Sequence, residues 1–263
     1  MSTVALVLRA GVRDLARSRW LLAYAGGFWA ITESLFLFGG TGPQVMLSLL
    51  NAVLLIVPLV ALVFGTAHVQ ASREFTELLL AQPLSRRSVF LGLYLGMALP
   101  LAGAFVVGVS VPLAFHGAAS AVPRLAFVLL AVAGLLLTLA FAALAMLIAH
   151  GVDDRLRAMA RAVTAWFALT IAYDGAVIVM VSLLGDWPLE RPMLVALLGN
   201  PVDLARVLVL TALDATALLG YTGALFRRLF GTSLGPAVAL VALTAWAVVP
   251  VLLARRRFLR RDF

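Results

Sequence analysis

Apolar residues along the chain arrive in unbroken blocks near the ~20 residues that carry an α-helix across a ~30 Å hydrocarbon layer at ~1.5 Å per residue. Six such blocks stand at about 20–38, 45–67, 89–115, 125–149, 162–184 and 236–254. They predict an all-α, polytopic membrane protein in which residues 1–263 form one transmembrane domain. Span three is long and carries Pro100 and Pro112, so a kink or tilt is expected, with neighbouring helices covering the freed carbonyls. A further stretch, Leu204 to Gly220, is about 17 residues long and holds Arg206 and Asp214, and charge decides against it below.

Two amphipathic patterns flank these blocks. Val4, Leu8, Val12 and Leu15 recur at helical spacing, while Arg9, Arg13 and Arg17 form a second stripe. Residues 4–19 are therefore expected to be a helix lying on the membrane surface, apolar side down, with Arg toward anionic head groups. Between spans two and three, residues 68–88 form the longest connection on that side. Ser72 to Ala81 reads as a short helix with a polar face from Arg73, Glu74 and Glu77 and an apolar face from Phe75, Leu78, Leu79 and Leu80. Pro83 ends it, and Ser85 is placed to cap the next helix ahead of Arg86 and Arg87. Such a helix can enter a groove on a soluble partner and move both adjoining spans at once; a plain interfacial connector is the alternative reading.

Composition excludes a water-soluble fold, because 63% of residues are hydrophobic, 12% are charged and the mean hydropathy is +1.08. The net charge of +8 comes from 20 basic residues, all Arg. Fifteen of those 20 fall in the amino-terminal segment, the loops after spans two and four, and the carboxyl tail. Six spans put all four segments on one side, whereas a seventh would carry the tail across, so both termini are expected in the cytoplasm of a cell with this protein in its inner membrane. The charge then marks topology, with membrane lipid and not nucleic acid as its partner. Residues 185–235 are expected outside as a small external subdomain or interfacial helix pair. The apolar run after the first arginines is too long for a signal peptide and is read as an uncleaved span. With no Cys there are no disulfides, thiolate metal sites or cysteine nucleophiles. His68, His116 and His150 share no helix face, and the seven Met are dispersed, so neither a histidine metal site nor a soft-ligand copper path is expected.

The stretch from Arg73 to Gly92 resembles the coupling segment of ABC-2 type permeases, the membrane subunits of a class of ATP-binding-cassette transporters. Glu74, Thr76, Leu78, Leu79, Pro83, Ser85 and Arg86 match in order, while Phe75 stands where Gly is usual and Leu93 where Lys often follows. The resemblance implies a half-transporter: two copies side by side, each contacting a soluble ATPase subunit that holds ATP and Mg, with Arg73, Glu74, Thr76, Glu77, Leu78, Leu79, Pro83, Ser85 and Arg86 at the coupling site. Consistent with this, a chain without Lys has no phosphate-binding G-x-x-x-x-G-K-[ST] loop, so no cofactor or ATPase activity is assigned to it. Asn200-Pro-Val-Asp-Leu-Ala-Arg206 is similar to a run in the branch of that family serving maturation of the nitrous-oxide reductase copper site. That similarity implies an external partner met by Asn200, Pro201, Asp203 and Arg206.

Three polar residues fall within spans. Asp174, read as mid-span in span five, costs about 2.5–3.5 kcal/mol on insertion scales, so it is expected to be functional or neutralised. It either lines a translocation or force-transmitting interface or, protonated, pins helix packing through a hydroxyl or amide. Glu33 and Asn51 sit toward the outer ends of spans one and two, within reach of water. Competing function classes are an ion-coupled secondary transporter using Asp174 as proton carrier and a membrane-embedded enzyme using Glu33 and Asp174 as acid and base.

Overall fold

The computed structural model describes residues 3–40, 42–116, 122–183, 190–213 and 220–260, and the regular elements among them are all helices. In chain order they are α1 (Thr3–Ala16), α2 (Arg19–Gly39), α3 (Pro43–Ala71), α4 (Arg73–Leu80), α5 (Arg86–His116) and α6 (Arg124–Ala149). After them come α7 (Arg155–Phe167), α8 (Tyr173–Leu183), α9 (Glu190–Leu198), α10 (Pro201–Ala212) and α11 (Gly220–Arg260). A π-turn, Ala168–Ala172, joins α7 to α8. Among the described residues six helices are long and apolar enough to cross a membrane, one for each expected span. α4, the start of α7 and the close of α11 meet at one end of the bundle, its Arg-rich end.

In lipid the hydrophobic effect does not press one helix onto another, so association depends on close contact. α6 supplies the contact surface: Ala126, Ala133, Ala140, Ala142, Ala143 and Ala145 are all buried, and α3, α5, α10 and α11 pack around it. Small residues bring the backbones together. A Cβ at Gly65 of α3 would lie 2.9 Å from that of Ala145, and one at Gly134 of α6 would overlap the Phe105 ring of α5. Tyr94 of α5 donates to the Leu139 carbonyl of α6 at 3.1 Å, giving its hydroxyl a partner inside the bundle.

Several expectations need correction. α1 does not simply rest on lipid: it lies along α5, with Val7 and Leu15 buried and Arg9, Arg13 and Arg17 exposed. The receiving surface is Gly92 and Gly96, one turn apart, the latter approaching Gly11 backbone to backbone at 3.3 Å from an added Cβ. Span five starts at Arg155, not 162, and span six is the end of a 41-residue helix that begins at Gly220. The described part of the segment expected outside, as a subdomain or an interfacial helix pair, turns against the bundle. α9 and α10 meet at 96°, and α10 packs on α6 and α11 with eight of its residues buried. Its apolar residues face all round the helix, which is why they need protein on every side.

Gly92→Leu should drive α1 off α5, because even a Cβ there would lie 2.6 Å from Val7 Cβ. Overpacking of this kind costs about 1–3 kcal/mol. The expected result is a lowered thermal midpoint with faster tryptic cleavage at Arg9 and Arg13; unchanged cleavage would show that the glycines do not hold α1.

Candidate functional site

At the Arg-rich end, α4 projects from the bottom of α3 on a root fixed to another part of the bundle. Ser72 Oγ donates to the His68 carbonyl at 2.9 Å and Thr76 Oγ1 to the Ser72 carbonyl at 3.0 Å, holding the corner between α3 and α4. Gln70 Nε2 donates to the Ala149 and Val152 carbonyls at 3.0 and 2.9 Å, and Arg73 pairs with Asp153 at 3.1 Å and with Glu77 at 3.2 Å. The corner is thereby clamped to the turn between α6 and α7. Ser85 caps α5, its Oγ accepting from the Ser88 amide at 3.3 Å, and Pro83 lies exposed in the turn before it.

The faces of α4 differ from those expected. Leu79 and Leu80 pack against the core and Thr76 is buried, whereas Glu74, Phe75, Glu77 and Leu78 point outward, with Leu78 68% and Phe75 46% exposed. Arg86 is exposed at the start of α5. Leu79 is thus a packing residue, and Phe75, where the family favours Gly, joins Leu78 as an apolar projection beyond the bundle.

A second cluster joins span five to the elbow between α9 and α10. A π-turn directs a carbonyl out of the regular ladder, and here the Leu169 oxygen accepts from Asn200 Nδ2 at 2.9 Å. Asn200 Oδ1 meanwhile caps α10 by accepting from the Val202 amide at 3.0 Å. Tyr173 Oη donates to the Ala196 carbonyl at 2.6 Å through the space Gly199 leaves, and Trp246 Nε1 of α11 donates to the Leu198 carbonyl at 3.0 Å. Carbonyls at the close of α9 so find donors from two spans. Arg206 Nη1 lies 3.0 Å from both Asp174 and Asp203, and Asp203 accepts from Asn200 at 3.2 Å.

Asp174 is therefore not held by a hydroxyl. It lies nearer Leu183 than Arg155 and is neutralised by an Arg that the sequence placed outside the membrane. The expectation of Asn200, Pro201, Asp203 and Arg206 as external contacts also changes: Asn200 and Pro201 are buried, and the polar atoms of Asn200, Asp203 and Arg206 bond within the chain. Glu33 pairs with His116 at 2.8 Å, bridging α2 to α5 under a stacked Phe36 ring, so Glu33 and Asp174 have separate partners and form no acid–base pair with each other. Asn51 lies on an exposed face of α3 in line with Gln44 and Ser48, with no hydrogen-bond partner among the described residues. The Glu33–His116 pair and the π-turn carried no sequence signal, since each is set by how separate spans pack.

Asp174→Asn and Arg206→Gln, made singly and together, should show a coupling free energy of about 1–3 kcal/mol in a thermal or denaturant cycle. Additive effects would show that the pair does not hold the elbow.

Residues 7–263 match the family model for ABC-2 family transporter proteins. The chain is 29% identical over 283 residues to a probable ABC transporter permease protein NosY of Pseudomonas aeruginosa, covering 99% of each. It is 27% identical over 280 residues to the protein of the same name from Stutzerimonas stutzeri, again with 99% of each covered. Permeases of this family lack ATPase activity of their own and pair with ATPase subunits. A chain matched from residue 7 to its last residue, with helices for six spans and a short helix clamped between the second and third, belongs to the ABC-2 transporter family as a multi-pass membrane permease subunit.

Proposed function

We propose that the permease works as a pair of copies, each receiving one soluble ATPase subunit on α4 and carrying ATP-driven motion into the membrane. The observation that carries this is the contrast on α4. Phe75 and Leu78 project apolar surface from a helix whose root is bound to both α3 and the α6–α7 turn. A push on α4 then moves the start of α7 directly, and with it the π-turn and the elbow beyond. Four arginine-rich segments favour the Arg-rich end as cytoplasmic, with the protein in the inner membrane.

The second copy fits the face of α2, α3 and α7–α8. Only Ala158, Ala162 and Thr170 of span five are buried within one protomer, and a groove of about 1030 Å³ walled by Tyr24, Phe28, Val60 and Phe64 opens beside it. The branch serving nitrous-oxide reductase copper-site maturation is favoured by the two full-length relatives and by Asn200, Pro201, Asp203 and Arg206. With no Cys and dispersed Met, the cargo is a sulfur-containing species, or motion passed to a periplasmic partner, in preference to copper itself.

Replacing Glu74, Phe75 and Leu78 together by Ser should abolish capture of the cognate ATPase while leaving the thermal midpoint unchanged, whereas Leu79→Ala should lower that midpoint. Full capture by the triple variant would refute the docking assignment. With no native Cys as background, Ile178→Cys should form a disulfide-linked dimer in oxidised membranes and Val241→Cys on α11 should not; the reverse pattern would place the second copy elsewhere.

A further inference from the structure

A basic pocket of about 580 Å³ lies at the Arg-rich end, apart from α4 and the elbow, between the close of α11 and the α6–α7 turn. Arg256, Arg257 and Arg260 line one side with Leu253 below them, and His150 and Asp153 line the other. Among the described residues the charges do not cancel. Asp153 is paired with Arg73, whereas Arg256 and Arg260 make no ion pair with the described residues. Arg257 lies flat on the turn, its guanidinium where a Cβ at Gly151 would be 2.6 Å away, and it reaches the Gly151 carbonyl at 3.5 Å. Any side chain at that position would displace the guanidinium. His150 is fixed behind it by a 2.7 Å bond to the Met146 carbonyl and an edge-on contact with Phe258.

The surface leading out of the pocket is apolar. Val249, Leu253, Arg256 and Arg260 fall on one line of α11 at spacings of four, three and four, and Val249 and Leu253 are about half exposed. Cationic groups therefore top an apolar strip at the end of a spanning helix, the level at which phospholipid head groups sit. Guanidinium groups bind phosphate oxygens through paired N–H donors. We propose that this pocket seats the phosphate of one anionic phospholipid, whose acyl chains follow Val249 and Leu253 into the bilayer. The bound lipid would brace the end of α11 against the turn that carries Asp153, the anchor of Arg73. This site does not depend on the ATPase assignment, because head groups lie at this level on either side of a membrane.

The test uses the full permease–ATPase complex in nanodiscs of phosphatidylcholine with a minor share of phosphatidylglycerol, with co-bound lipid counted by native mass spectrometry. One phosphatidylglycerol per permease chain should be retained in preference to phosphatidylcholine. R256Q/R260Q should reduce that retention about tenfold or more, and Gly151→Leu, which evicts Arg257 without changing charge, should also reduce it. R9Q/R13Q at the same end should retain it. Equal loss in R9Q/R13Q would overturn the proposal in favour of diffuse attraction, as would displacement of the lipid by millimolar inorganic phosphate, the mark of a free-phosphate site. Lipid kept but ATPase lost in R256Q/R260Q would overturn it in favour of an acidic protein surface.

Discussion

Backbone that leaves the regular helix inside a membrane has no water to turn to, and each freed carbonyl must find a donor within the protein. Among the described residues the chain leaves regular helix at the π-turn of span five and at the 96° elbow before α10, and the two meet. The two departures answer one another. Asn200 serves both, donating to the π-turn and capping α10, while Tyr173 and Trp246 supply the remaining donors. Span five can stand largely clear of its own bundle because this stitch, and the Trp166 bond to the Leu55 carbonyl, hold it. Its exposed flank, the groove beside it and the proposed site of the second copy follow from that one arrangement.

Arg206 adds charge to the same stitch. One guanidinium nitrogen faces the side chains of both Asp174 and Asp203, so the two acids share it. A pair of this kind contributes little to net stability compared with an apolar replacement, but it fixes which turn of α10 meets which turn of span five. Specific register is what a force-bearing joint requires. At the Arg-rich end Arg73 does the equivalent for α4, reaching across to Asp153 on a different connection.

The spans were legible in the sequence because their signal is local: six apolar blocks match six helices, and α4 differs from its expected bounds by a residue at each end. Lipid exposure and burial in protein look alike in composition, however, so the packing of α10 against α6 and α11 was not legible in it. Arg206, one of the two charges counted against a further span there, is the partner of Asp174. The packing of Leu79 was hidden for a related reason: on a helix of eight residues both flanks are apolar enough to pack, and only the position of α3 and α5 decides which does. The Gly92 and Gly96 surface was present in the sequence at the right spacing, but its ligand, α1, lies far upstream.

That last separation has a consequence for how the protein is made. α1 leaves the ribosome before α5, yet the surface that receives it belongs to span three and does not exist until α5 has been inserted. In the interval α1 needs somewhere to wait, with Val7 and Leu15 uncovered. Its stripe of Arg9, Arg13 and Arg17 opposite an apolar face suits the lipid surface during that time. The amphipathic pattern thus describes a lodging during synthesis, and the glycines describe the destination.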